Sequence, residues 1–204
     1  AMGVIKSILG EEALRSRSYM SAHGTGTPQN RTTESHIFSE LAGAFGIKKW
    51  PITAIKSYIG HSVACASGDQ LTSIIGTWAD GIIPGIKTID NVAPDVFTNN
   101  LEFLLEHRAI LPEAMDAAFI NSKGFGGNNA TAAILSPKIT RGMLEKKYGK
   151  TSMAKHSKLN ECVRQASLDY DDSMLAGENS VIYKYGDGVI EGTQLKLSKN
   201  NIKI

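Results

Sequence analysis

The sequence has little of what marks secreted, metal-binding or membrane proteins. It contains only two cysteines, Cys65 and Cys162, whose spacing fits neither a zinc motif nor a disulfide framework. No apolar run approaches the roughly 18 residues that span a bilayer, and the chain does not open with a basic region followed by an apolar one. We therefore expect a soluble cytoplasmic protein that has no membrane partner.

Neither sign of charge is in large excess. Lysine and arginine number 22 against 20 aspartate and glutamate residues, so no net field would attract nucleic acid or an anionic membrane surface. Hydrophobic residues make up 42% of the chain, as in ordinary globular proteins. A chain of 204 residues is long enough for one domain, or one and a half, with a sizeable core.

Apolar periodicity predicts an α/β arrangement as far as about residue 136. The predicted helices are 5–14, 37–45 and one that starts soon after His61 and ends near Gly81, and the predicted strands are 18–22, 51–55, 117–121 and 131–135. Gly46 and Gly81 are suited to end the second and third helices in the left-handed conformation. The last two strands are so close in sequence that they should pair antiparallel.

The composition changes near residue 137. Residues 138–175 are rich in lysine, serine and aspartate, and residues 181–191 have the pattern of a hairpin around Asp187-Gly188. We predict a domain at 1–137 and a C-terminal extension at 138–204 that contains this hairpin. A packing extension or a partner surface is the favoured interpretation of this segment.

Polar, glycine-bearing loops follow the predicted strands. The first of them, from His23 to Pro28, reads His-Gly-Thr-Gly-Thr-Pro. Its glycines let a backbone approach a ligand closely, and the hydroxyls of Thr25 and Thr27 can hydrogen-bond amides. Taken alone, this run could also be a capped turn with a solvated histidine.

Two further loops carry candidate functional groups. The loop 56–61 places Lys56 five residues before His61, which follows a glycine. A buried lysine could polarise a site, and an imidazole near the start of a helix is biased toward its neutral form. Alternatively, the lysine has a structural role and the histidine only satisfies its own hydrogen bonds.

The loop 121–129 reads Asn-Ser-Lys-Gly-Phe-Gly-Gly-Asn-Asn. It contains a superficial phosphate-binding pattern, but it does not lie between a strand and a helix.

Taken in order, these loops resemble the signatures of the β-ketoacyl-acyl carrier protein synthases, which are ketosynthases of the thiolase-like superfamily. The family motifs are His-Gly-Thr-Gly/Ser-Thr-Pro with an acidic residue at the offset of Glu34, Lys-x-x-x-Gly-His, and Asn-Ser-x-Gly-Phe-Gly-Gly-x-Asn. The resemblance spans residues 18–136, about two thirds of the chain. It implies the C-terminal half of a thiolase-like layered α/β fold, with a mixed sheet and covering helices.

The resemblance also implies a reaction. Members of the family load an acyl group onto a cysteine, decarboxylate a malonyl thioester and condense the resulting carbanion with the acyl-enzyme, in fatty acid or polyketide biosynthesis. His23 and His61 would hydrogen-bond the malonyl thioester carbonyl, while Lys56 would organise the site. The backbone N–H of Phe125 would contribute to an oxyanion hole.

Binding roles are implied for other residues of the same loops. Thr25 and Thr27 would contact the phosphopantetheine arm of the acyl carrier protein. The supporting residues would be Glu34, Asn121 and Gly124. The implied partners are acyl carrier protein and malonyl and acyl thioesters, and no metal or cofactor is expected on the protein itself. The intact enzyme is expected to be a homodimer.

The family's cysteine nucleophile precedes the first loop, and this chain should begin after it. We therefore expect a missing N-terminal half as a partner and no activity from the chain alone. Cys65, in Ala-Cys-Ala-Ser, resembles the surroundings of that nucleophile but follows His61, so a small structural residue is the favoured interpretation. A zinc site built from His23, His36 and His61 has no supporting spacing. A noncatalytic, ketosynthase-like scaffold is the other alternative.

Some positions depart from the family pattern. Asn30-Arg31 stands in place of a common Gly-Asp pair, and Lys123 stands where a second aromatic residue is frequent. Gln70 replaces an acidic residue nine positions after the second histidine. We therefore expect the local carboxylate network, the gating of the acyl chain and the charge beneath the site to differ from those of the family pattern.

Overall fold

The computed structural model describes residues 1–178, 186, 188–190, 192 and 194–203. Contacts between residues divide the chain into two compact units, 1–147 and 148–204. Among the described residues, no helix is both long enough and apolar enough to cross a membrane.

The first unit alternates helices and strands, as the periodicity predicted. Its helices are α1 Met2–Leu9, α2 Glu11–Ser16, α3 Pro28–Phe45, α4 Lys56–Ile59, α5 Ala66–Asp80 and α6 Pro137–Tyr148. Its strands are β1 Ser18–Ser21, β2 Trp50–Thr53, β3 Ile82–Ile83, β4 Leu101–Phe103, β5 Arg108–Ala109, β6 Ala117–Gly124 and β7 Asn128–Leu135. Gly46 and Gly81 end α3 and α5 in the left-handed conformation, which confirms both predicted helix ends.

A mixed five-stranded sheet in the order β4-β2-β1-β6-β7 forms the centre of this unit. Strand β1 pairs in parallel with β2 and with β6, so that Met20 lies between Ile52 and Phe119. Strand β2 pairs in parallel with β4, whereas β7 pairs antiparallel with β6, as predicted. Because β1, β2 and β6 run in the same direction, the loops that follow them meet at one edge of the sheet.

Apolar layers cover both faces of this sheet. In the first layer, the ring of Trp50 packs edge-on against Phe38 and Phe119, with centroid distances of 6.2 and 5.6 Å. Tyr19 and Trp78 belong to the second layer. Successive side chains of a strand point to opposite faces, so β1 contributes to both layers and is buried throughout. Burial of each large side chain contributes about 2 to 3 kcal/mol, which holds the strand ends in a fixed register.

Helix α3 buries a different stripe from the one that its apolar residues suggested. Ile37 is 40% exposed, whereas Phe38 and Ala42 are buried. Two polar side chains, Glu34 and Ser39, are buried beside them. The inner face of this helix is therefore partly polar, and apolar spacing alone could not identify it.

The second unit contains α7 Lys150–Leu175 and an antiparallel pair of strands, β8 Lys196–Ser198 and β9 Asn201–Lys203. The sequence analysis did not predict α6 or α7, because their apolar residues are scattered among charged and polar ones; none of their described side chains is buried. The hairpin predicted at 181–191 falls on residues that lie largely outside the described part of the chain. The domain boundary at residue 137 stays a prediction.

The close approach of two strand-end loops makes Gly24 irreplaceable. Gly24 has φ 56°, and a Cβ there would lie 2.6 Å from the Cβ of Ala54, whereas Gly26 has φ 72° with nothing within 4 Å of a Cβ. We expect Gly26→Ala to lower the free energy of unfolding by about 1 kcal/mol, the cost of a left-handed alanine. Gly24→Ala should lower the free energy of unfolding by about 3 kcal/mol or more, because the new Cβ would also clash with Ala54. Urea denaturation of both variants tests this, and equal losses would contradict it.

Candidate active site

The loops that follow β1, β2 and β6 are joined by one buried carboxylate, that of Glu34 on α3. Its Oε1 accepts hydrogen bonds from the backbone N–H of His23 at 2.7 Å and from Nδ2 of Asn121 at 2.8 Å. Its Oε2 accepts from the N–H of Gly24 at 2.9 Å and from Nδ2 of Asn30 at 3.1 Å. These four donors satisfy a carboxylate that burial would otherwise make costly. Glu34 thus fixes the first loop against the third.

The imidazoles of His23 and His61 meet edge to face at this position. Their ring centroids are 5.1 Å apart and their planes are at 84°. His23 is 6% exposed, whereas His61 lies exposed at the surface. The sequence separated these residues by 38 positions, and the parallel pairing of β1 and β2 brings them together.

Each histidine is held by a backbone donor at Nδ1. The N–H of Lys123 donates to Nδ1 of His23 at 3.3 Å, and the N–H of Val63 donates to Nδ1 of His61 at 3.0 Å. A neutral imidazole that accepts at Nδ1 carries its proton at Nε2. Both rings therefore present an Nε2–H donor in their neutral form.

Val63 adopts an unusual backbone conformation to make this bond. Its φ is 58°, in the left-handed region that β-branched residues rarely enter. Such strain costs on the order of 1 to 3 kcal/mol and is characteristic of functional sites. No pattern in the sequence indicated this role, because valine is among the residues least expected in that conformation.

Lys56 lies buried behind the pair. It is 8% exposed, and its Nζ has no hydrogen-bond partner among the described residues. Burial lowers the pKa of the Lys56 ammonium, although the attraction of Glu34 and Asp69 opposes this effect. The pKa of His23 is also lowered, first by burial and then by the charge of Lys56. Lys56 therefore helps to keep His23 neutral.

Gln70 forms the floor of the site from α5. Its side chain is fully buried, and its Nε2 lies 2.8 Å from the carbonyl oxygens of Ser21 and Ala22 and 3.3 Å from that of Asn121. A carboxylate has no proton to donate to these carbonyls, so the departure from an acidic residue at this position suits its surroundings. The Oε1 of Gln70 has no partner within the described part of the chain.

The third loop contributes Asn121 and Lys123 to the site but exposes its tip. The Oδ1 of Asn121 accepts from Oγ1 of Thr131 at 3.0 Å, which fixes the orientation of its amide toward Glu34. The side chain of Phe125 is fully exposed, and Gly124 beside it is exposed as well. The structure thus brings Asn121 to the histidine pair and leaves the phenyl ring of Phe125 in solvent.

Other predicted positions lie at the rim or elsewhere. The hydroxyls of Thr25 and Thr27 are 3.4 Å apart; Thr27 is exposed and Thr25 is half-buried. Cys65 is exposed at the N-terminus of α5. His36 stacks on Phe97 with a centroid distance of 4.4 Å, and no group of three potential metal ligands occurs among the described residues. The zinc alternative therefore has no support in the geometry.

The unusual residues of the first and third loops have partners of their own. Asn30 donates to Glu34, as described above, and the guanidinium of Arg31 forms a bidentate pair with Asp95 at 2.9 to 3.1 Å. The Nζ of Lys123 donates to Oγ1 of Thr33 at 2.7 Å. The charge of Lys123 is thus held against α3, which the sequence alone could not indicate.

Comparison with known proteins identifies the domain that contains the loops of His23 and His61. Residues 2–90 match the family described as beta-ketoacyl synthase, C-terminal domain. The chain carries a β-ketoacyl synthase C-terminal domain. It is 43% identical over 198 residues to the β-ketoacyl-[acyl-carrier-protein] synthase FabY of Pseudomonas aeruginosa, an alignment that covers 97% of this chain and 31% of the relative. The resemblance inferred from the three motifs is thereby confirmed.

Further relatives agree with this assignment. The 3-oxoacyl-[acyl-carrier-protein] synthase 2 of Synechocystis is 31% identical over 119 residues, which cover 57% of this chain and 26% of the relative. The crystal structure of the noncanonical ketosynthase FabY from P. aeruginosa matches with a TM-score of 0.89 and 42% identity, and the match covers all of this chain and 32% of that one. The thiolase-like α/β fold is therefore confirmed, and the chain spans about a third of the length of FabY.

The effect of Lys56 on His23 can be measured directly. Lys56→Met removes a buried cation from beside His23 while Glu34 remains, so the pKa of His23 should rise. Titration of the His23 Cε1–H signal by NMR reports this pKa. Lys123→Met is the matched control, because Lys123 has the smallest effect among the groups that act on His23 and its backbone donor is unchanged. A rise no larger in Lys56→Met than in the control would contradict the electrostatic role.

Gln70→Glu tests the need for an amide beneath the site. A buried carboxylate beside carbonyl oxygens should lower the free energy of unfolding at pH 8 by roughly 3 kcal/mol. Burial raises the pKa of the introduced carboxyl group in the folded state, so this loss should shrink as the pH falls toward the unfolded value of about 4.3. Urea titrations between pH 5 and 8 measure it. Gln165→Glu on the exposed surface of α7 should show no such dependence, and a pH-independent loss in Gln70→Glu would refute the argument.

Proposed function

We propose that this chain is part of a β-ketoacyl-acyl carrier protein synthase, an acyltransferase that condenses a malonyl thioester with an enzyme-bound acyl group. The observation that carries the proposal is the contact between the imidazoles of His23 and His61, whose centroids are 5.1 Å apart and whose Nδ1 atoms each accept a backbone N–H. The names of the relatives support the same reaction. Because the chain spans about a third of FabY, the activity belongs to the whole protein.

The histidine pair suits the decarboxylation step. When the malonyl thioester loses CO2, the electrons of the broken C–C bond move to the thioester carbonyl and form an enolate. Two Nε2–H groups that donate to this oxygen stabilise its negative charge without transferring a proton. The α-carbon of the enolate then attacks the acyl carbon on the cysteine, and the cysteine thiolate leaves. The product is a β-ketoacyl thioester on the carrier protein.

Lys56 and Glu34 would control the protonation state and the position of His23. The charge of Lys56 favours neutral His23, the form that donates at Nε2 and leaves Nδ1 as acceptor. Glu34 holds the backbone of His23 at 2.7 Å and so fixes the position of the ring. An oxygen bound here would meet preorganised donors, which is the usual source of electrostatic stabilisation in enzymes.

The remaining roles concern substrate contacts. The hydroxyls of half-buried Thr25 and exposed Thr27 lie on the loop of His23, where they would hydrogen-bond the amides of the phosphopantetheine arm of acyl carrier protein. The backbone N–H of Phe125, with Gly124 before it, would donate to the oxyanion formed when the acyl carbon is attacked. One such donor contributes on the order of 3 kcal/mol to transition-state stabilisation.

The nucleophilic cysteine is proposed to come from another part of the whole protein. Cys65 follows His61 in the chain, opens α5 and is exposed. Exposed apolar side chains close to His61 in the chain include Tyr58, Ile59 and Val63. A surface with such side chains beside a polar site is typical of an interface. It would be covered by the part of the enzyme that supplies the cysteine.

The function is tested in the whole protein by replacing the histidines. His23→Asn and His61→Asn should each slow condensation of acyl and malonyl thioesters by about 10² to 10⁴-fold, because an enolate donor is lost. Release of CO2 from malonyl thioester should fall in parallel. His36→Asn, which changes a histidine stacked on Phe97, is the control and should retain activity. Full activity in both site variants, or no condensation by the unmodified protein, would favour a noncatalytic scaffold.

The source of the nucleophile is tested separately. The 204-residue chain alone should neither form an acyl-enzyme with a radiolabelled acyl thioester nor condense it, and the whole protein should do both. Cys65→Ser in the whole protein should leave the acyl-enzyme yield unchanged. Acylation of the isolated chain that is abolished by Cys65→Ser would instead identify Cys65 as the nucleophile.

A further inference from the structure

Tyr58 on helix α4 contacts two segments that are far from it in the sequence. Its hydroxyl donates a hydrogen bond to the carbonyl oxygen of Gly85 and accepts one from the backbone N–H of Lys87 at 3.2 Å. Its ring stacks on the imidazole of His107, with a centroid distance of 6.3 Å and an angle of 23° between the planes. Tyr58 therefore joins α4 to both segments.

These two segments are fixed to each other and to strand β2. A Cβ on Gly85 would lie 2.3 Å from the carbonyl carbon and oxygen of Glu106, so the two backbones are in close contact. The N–H of Gly85 donates to Nδ1 of His107 at 3.1 Å. At the end of β2, Oγ1 of Thr53 donates to the carbonyl oxygen of Pro84. Close packing combined with these hydrogen bonds leaves the segment around Gly85 little freedom to shift.

The segment that carries His61 has little anchoring apart from Tyr58. Between Lys56 and Ala66, a range that the structure describes in full, no side chain is buried. Within the described part of the chain, the hydrogen bonds that link this segment to distant residues all involve the Tyr58 hydroxyl. The others are local. Segments with few buried contacts open easily, so the bonds of Tyr58 have a large share in holding the backbone of His61.

We propose that Tyr58 is a positioning residue, which holds the imidazole of His61 against that of His23 by attaching α4 to residues 84–87. Gly60 ends α4 with φ 73°, and His61 follows it directly, so a shift of the helix moves the ring. A reacting group must be held precisely to be effective. This role rests on the proposed function, because that reaction is what would use the orientation of His61.

Tyr58→Phe tests the hydroxyl, because it removes both hydrogen bonds and keeps an aromatic ring beside His107. In the whole protein, kcat for condensation of acyl and malonyl thioesters should fall by about 10- to 10²-fold, the cost of displacing a catalytic group by roughly 1 Å. The KM for the malonyl thioester should change little. Tyr170→Phe on α7 is the matched control and should retain full activity. An unchanged kcat in Tyr58→Phe would overturn the proposal.

Combination with His61→Asn separates positioning from a general structural role. A residue that acts through His61 has nothing left to position once the imidazole is gone. Tyr58→Phe should therefore slow the His61→Asn variant by less than about twofold. A further loss as large as the one measured beside intact His61 would show that Tyr58 acts by another route.

Hydrogen–deuterium exchange tests the attachment without any need for activity. In the whole protein, Tyr58→Phe should speed exchange in peptides that cover residues 57–65 by roughly tenfold and leave the buried strand β6 unchanged. Tyr170→Phe should change neither. Unchanged exchange at 57–65 would overturn the proposal even if condensation is slower. Faster exchange there in a protein that does not condense thioesters would support the attachment and count against the proposed function.

Discussion

The carboxylate of Glu34 is the interaction on which the rest of the site depends. It accepts two backbone N–H groups from the loop after β1, one amide from the strand that leads into the third loop and one from its own helix. Water competes poorly for a buried carboxylate with four donors, so this arrangement is specific as well as stable. Removing the carboxylate would leave the donors of His23, Gly24 and Asn121 without their partner.

The hydrogen-bonding state of the two histidines depends on the groups around them. Backbone donors occupy Nδ1 of both rings, and the buried charge of Lys56 disfavours protonation of His23. Both rings are thus positioned to donate a hydrogen bond from Nε2 in their neutral form. Gln70 binds the carbonyl ends of the same loops from below, which a carboxylate could not do. The site therefore combines one buried anion with a neutral amide beneath it.

The surface beside the candidate site suits an interface. Tyr58, Ile59 and Val63 expose apolar side chains close to His61 in the chain. This surface is proposed to be covered by the part of the enzyme that supplies the cysteine, and such side chains are suited to lose their water on association.

The sequence by itself determined the order of α3, α5, β1, β2, β6 and β7 in the first unit, the antiparallel pair β6–β7 and the three motifs that indicate a ketosynthase. Apolar periodicity and glycine positions are local, so they can be read without the fold. Only the tertiary structure decided that His23 and His61 touch, that Glu34 joins two loops and that Lys123 turns its charge toward Thr33. It also revealed α7, whose apolar residues are exposed and scattered among charged ones. These features arise from contacts between residues far apart in the chain, and strand pairing, which local patterns do not encode, sets those contacts.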